Sequence, residues 1–174
     1  LGVVSGLLFN QLFLFQHDMG HQAFFKSRRA NLWVGHAVCV FMLTPFLEWT
    51  RSHAHHHRNV ARLDRRVLGD IYTMTTDEWT RAGPLKRLGY RAFRNPFTLL
   101  VVAPLYYFFV SNRVKGSVCP NFPRGKHLAS VHLTTLGFLA FAFVMSELIG
   151  WRAFVTIEAV TLVPAGAVGL WIFY

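Results

Sequence analysis

Apolar and polar residues follow one another in long blocks along this chain. Leu1 to Gln16 is apolar except for Ser5, Asn10, Gln11 and Gln16, a little short of the roughly 20 residues that a membrane span requires. Asn31 to Leu47 is apolar, with His36 inside it and Pro45 near its end. Glu48 to Asn95 is polar, and Pro96 to Val110 is a short apolar run broken by Pro104. Ser111 to His127 is polar and basic, with Gly and Pro marking turns. Leu128–Ile149 and Ala153–Tyr174 are two further apolar runs, separated only by Gly150, Trp151 and Arg152. These last two predict a tight transmembrane hairpin. The expected fold is all-α, an integral-membrane helical bundle with 1–174 forming a single domain.

Composition sharpens this picture. Hydrophobic residues make up 53% of the 174 and aromatic residues 16%, while charged residues make up only 15%, against roughly 25% in a soluble domain. The net charge is nevertheless +10. A chain both apolar and basic points to membrane spans with basic loops, whereas a nucleic-acid binder would carry such charge on a soluble fold. Three Lys and Arg residues fall in 17–29, ten in 48–96, four in 111–127 and one in 150–152. By the positive-inside tendency the first three stretches face the cytoplasm and the hairpin tip lies on the far side. Segments 31–47 and 97–110 then cannot each cross once, and are expected to be re-entrant or interfacial. Cys39 and Cys119 lie in or beside apolar segments and read as free packing residues.

The nine histidines carry the chemistry. His17 and His21 are four apart in HDMGH, a spacing that stacks them on one helix face. They follow directly from the first apolar run, whose helix could carry them to the membrane surface. His53, His56 and His57 in HAHHH occupy i, i+3 and i+4, so one helix face presents all three, with His55 directed away toward a hydrogen bond or solvent. Imidazole suits Fe, Zn, Cu and Ni. A structural zinc site closes with four ligands, often including Cys. Five histidines in two clusters exceed that number and favour two metals over one. Bundle-type di-iron sites built on Glu and Glu-x-x-His have no counterpart among the eight acidic residues. Both clusters must reach one site, so 22–52 must return to the side it left, in agreement with the charge count. His36, His127 and His132 are isolated and receive no metal role. Asp18, Glu48, Asp64 and Asp70 are candidates to hold the second ring nitrogen of a ligating histidine. Their alternative is a salt bridge with a neighbour such as Arg51, Arg65 or Arg66.

This pattern resembles the membrane fatty acid desaturase family. HDMGHQAFF resembles its first histidine box, HxxxH. EWTRSHAHHH resembles the approach to its second box, HxxHH, carried by His53, His56 and His57. LDRRVLGDIYTMTTDEW looks like the stretch after that box in bacterial and plastid-type acyl-lipid desaturases, and AGAVGLWIFY looks like the segment before a further family histidine. The resemblance implies two irons that activate O2, removal of hydrogens from adjacent methylenes, and a cis double bond in the product. It also implies electrons from ferredoxin, or from cytochrome b5 with a reductase. The family's third box is absent, so the chain is expected to be a C-terminally truncated piece, inactive alone, holding only the ligands His17, His21, His53, His56 and His57. The first box is similar to that of ω-type acyl-lipid enzymes, which implies a Δ12 or ω3 desaturase of lipid-bound chains. Met19 stands where that box commonly has Cys. Two other readings remain: a fatty acid or carotenoid hydroxylase or ketolase on the same scaffold, and a non-enzymatic membrane metal-binding or transport protein. A transporter would place ionisable residues at mid-membrane depth, whereas these histidines flank the spans.

Overall fold

The computed structural model describes residues 2–60, 62–65, 71–114 and 124–172, and among them every regular element is helical. The helices are α1 (Gly2–Gly20), α2 (Arg28–Phe41), α3 (Phe46–Asn59), α4 (Thr76–Arg81), α5 (Pro84–Phe93), α6 (Ala103–Phe109), α7 (Arg124–Ile149) and α8 (Trp151–Ile172). A π-helical turn, Thr98–Val102, leads directly into α6.

Helices α7 and α8 form the expected hairpin, with stretches Gly125–Ile149 and Trp151–Trp171 long and apolar enough to cross a membrane. The turn is shorter than the sequence suggests. Only Gly150 lies outside a helix, at φ 82°, while Trp151 and Arg152 already belong to α8. Glycine tolerates that left-handed backbone, so one residue reverses the chain. Leu136, Leu139, Phe143, Leu148, Val155 and Ile157 remain exposed on this hairpin. So large an apolar surface belongs against lipid or another protein surface.

Helix α1 packs chiefly on α8. Gly6 brings its backbone close to Pro164, where an added Cβ would sit 2.9 Å from the Pro164 Cβ. Asn10 Nδ2 donates to the Ala165 carbonyl at 3.2 Å, so this polar side chain of an apolar stretch is satisfied inside the bundle.

Helices α2 and α3 are where the chain turns back. Ser27 caps α2, its hydroxyl accepting from the Ala30 N–H. Composition places the polar boundary at Glu48, but the helix breaks earlier, at Met42–Pro45. Pro45 disfavours helical backbone in the residue before it, and Leu43 adopts φ 51°. The axes of α2 and α3 differ by 102°. Such a corner permits a return to the starting side, as expected for 31–47. The second segment expected to be re-entrant, 97–110, lies almost wholly within Thr98–Arg113, which meets α5 at 59° across the break before it. Cys39 is a fully buried free thiol in a small core with Met19 and Phe46; Cys119 lies outside the described residues.

Candidate metal centre

The first pair of histidines sits where α1 ends. His17 is in its last turn, and His21 continues the helical hydrogen bonding, its N–H donating to the His17 carbonyl at 3.0 Å. Gln22 then adopts φ 61° and ends the run. The i, i+4 spacing stacks the two imidazoles as anticipated, with ring centroids 4.6 Å apart.

The second cluster arrives on α3. His53 and His57, one turn apart, point at the first pair. His53 Nε2 lies 3.1 Å from His21 Nε2 and 2.9 Å from His57 Nε2. One nitrogen each from His17, His21, His53 and His57 falls within 4.8 Å of all the others. Residues 32 or more positions apart in the chain thus meet at one point because the α2–α3 corner reverses it. His56 stands beside this group, its ring stacked 6.0 Å from that of His53. His55 is directed elsewhere, its Nε2 3.3 Å from Asn59 Nδ2.

A metal fits this donor set. Two imidazole nitrogens each about 2.1 Å from one ion and at right angles to each other lie roughly 3 Å apart, close to the two Nε2 separations here. Neutral imidazoles suit borderline metals, iron included. Burial holds the His53 pKa down to about 3, helped by the neighbouring imidazoles of His17, His57, His21 and His56. His21 is also lowered, by burial and by His17 and His57, with Asp18 opposing. Both shifts favour the unprotonated form that a ligand must have.

The four candidate carboxylates differ in placement. Asp18 Oδ1 lies 3.1 Å from His17 Nδ1, which leaves the Nε2 of that ring for the cluster. Asp64 accepts from Arg62 Nη2 at 3.3 Å on the surface, a salt bridge with a neighbour. Asp70 lies outside the described residues. Glu48 is buried and pairs with His127 Nδ1 instead of with the histidine cluster.

Two participants escaped sequence reasoning. Trp49 stacks on His53 at 4.6 Å with the rings 13° from parallel. Gly20 leaves room for it, since an added Cβ would meet Trp49 Cζ3 at 2.9 Å. His127, assigned to a polar loop by composition, is buried within α7. A lone His in a basic segment gives no sign of a partner 79 residues away.

Comparison with known proteins identifies the family. The family model for fatty acid desaturases matches residues 1–174. A fatty acid desaturase of Bacillus subtilis is 34% identical over 176 residues, covering all of this chain and 48% of that protein. An sn-1 acyl-lipid omega-3 desaturase (ferredoxin) of Synechocystis sp. is 30% identical over 158 residues, 86% of this chain and 41% of the relative. An sn-1 oleoyl-lipid 12-desaturase of Synechocystis sp. is 34% identical over 94 residues, 53% of this chain and 26% of the relative. The chain thus spans about half the length, or less, of these curated relatives. No solved structure matches it significantly. With two histidine clusters converging beside apolar helices and the family model matching from end to end, the chain belongs to the fatty acid desaturase family.

Proposed function

We propose that this chain carries the histidine-bearing part of an enzyme that introduces a cis double bond into fatty acyl chains of membrane lipids. The reaction would be oxygen-dependent, at a di-iron centre held by His17, His21, His53, His56 and His57. The observation that carries this reading is the convergence of four imidazoles from α1 and α3 at spacings a metal ion would bridge. Iron bound there would supply the oxidising power, drawn from O2, that desaturation of an unactivated methylene pair requires.

The protein's own groups have definable tasks. Asp18 holds His17 at Nδ1 and so presents Nε2 to the centre. Trp49 covers one face of His53 and limits its rotation. An acyl chain in the bilayer can approach between apolar helices without leaving lipid. The basic segments, and with them the histidines, face the cytoplasm by the positive-inside tendency. The omega-3 desaturase relative of Synechocystis sp. is named for ferredoxin, which supports ferredoxin as donor here; cytochrome b5 with a reductase is the other candidate.

The test is expression of the whole natural protein, with a working electron donor, in a host lacking polyunsaturated lipids. Gas chromatography–mass spectrometry of its fatty acids is expected to reveal a new diene that disappears in His56→Ala. Residues 1–174 expressed alone should yield none. A hydroxylated product would instead assign the scaffold to hydroxylation. Unchanged lipids despite bound iron and a working donor would refute acyl desaturation.

A further inference from the structure

The second histidine cluster depends on the direction of one helix. Helix α3 leaves a corner at Met42–Pro45 and carries His53 and His57 toward α1. Leu43 in that corner holds φ 51°, a backbone region that strains a residue with a Cβ and persists only where the surroundings enforce it. Two polar contacts, one partly and one fully buried, grip the corner from either side. Arg113 Nη1 donates to the Leu43 carbonyl at 2.8 Å. Just beyond, Glu48 in the first turn of α3 pairs with His127 on α7, both side chains being 2% exposed or less.

From Glu48 to His57 is nine residues, roughly 14 Å at about 1.5 Å of rise each. A swing of about 10° at the corner would displace His57 by roughly 2.4 Å, against a tolerance of about 0.5 Å for a working constellation. Beyond Trp49 the helix is polar and only partly covered, with Ser52 and Asn59 its buried residues; its most extensive packing is on α7, with lesser contact to α1 and α2.

We propose that Glu48, His127 and Arg113 are positioning residues that clamp the α2–α3 corner and thereby aim His53 and His57 at His17 and His21. None of the three touches the centre. Their effect passes through the direction of α3. The inference rests on the metal-site reading given above.

The test is Co2+ titration of the whole protein in lipid nanodiscs, following the ligand-field absorption, with helix content and thermal unfolding measured alongside. Glu48→Ala and His127→Ala are each expected to weaken cobalt binding at least tenfold and to alter the absorption envelope. The double variant should bind no more weakly than either single one, because the two act as a unit. Glu48→Gln keeps a hydrogen-bonding side chain and should restore affinity to within about threefold of the parent. Thr134→Val, a buried change on α7 outside the clamp, should leave affinity unaltered. Should the alanine variants fail to fold, Arg113→Met reads the same clamp from its other side and should weaken binding in the same direction. Folded variants with parental affinity and spectrum, whatever their melting temperature, would overturn the clamp. Failure of the parent protein itself to bind cobalt, or binding indifferent to His53→Ala, would instead overturn the metal-site reading.

Discussion

At the scale of single residues, the four-imidazole group makes separable predictions. His17→Ala, His21→Ala or His57→Ala should remove metal from the purified protein. His55→Ala should retain it, because that ring is engaged with Asn59. Metal analysis of the variants checks this directly. Acid should act on the same group. His53 titrates at about 3 in the folded protein, mainly through burial, against roughly 6.5 in an unfolded chain. Between those values the unfolded state binds the extra proton, so stability is fully present above about pH 6.5 and falls as the pH drops toward 3. Metal-free protein should therefore melt at progressively lower temperature from pH 6.5 to 4.5, and His53→Gln should flatten that dependence.

At the scale of elements, close packing at α2 sets how the corner can form. A Cβ at Gly35 would lie 2.7 and 2.8 Å from carbons of the Phe46 ring, and that ring is fully buried. Gly35→Ala should overpack this contact and cost about 1–3 kcal/mol, seen as a lower melting temperature together with reduced metal retention. Helix α4 offers a contrast remote from the centre. Thr75 and Glu78 form a reciprocal capping box, with bonds of 3.1 and 2.7 Å. Thr75→Ala should cost about 1 kcal/mol, visible as faster amide exchange over 76–81 with metal binding unchanged. The sequence placed both final spans within a few residues because long apolar runs admit few alternatives. It placed the change from apolar to polar at Glu48 but not the helix break at Met42–Pro45, because Leu43 and Pro45 are apolar and composition does not register a backbone turn.

At the scale of the whole molecule, the distribution of Lys and Arg predicts a topology. Cysteines introduced at Lys26 and Lys86 should label with a membrane-impermeant thiol reagent from the same side, and one at Arg152 from the opposite side, in sealed vesicles of defined orientation. The bend of 102° within the first short apolar segment accords with the two basic stretches lying together. Labelling of Lys26→Cys and Lys86→Cys from opposite sides would require α2 and α3 to form one complete crossing.

The sequence by itself determined the class of the molecule and the chemistry it can host. Long apolar runs force backbone hydrogen bonding into helices when lipid is the solvent, and five histidines at one-turn spacings admit few purposes besides a metal. It also separated His55 from its neighbours, since helical periodicity is a local property. Only the tertiary structure decided which residues meet. The spacing of His17 and His21 could not reveal that His53 would come within 3.1 Å of His21, because that depends on a corner whose angle is set by packing. Nor could it join Glu48 to His127 across 79 residues, or lay Trp49 over His53 against Gly20. Local pattern fixes what each segment can be, and close packing of distant side chains fixes where it points.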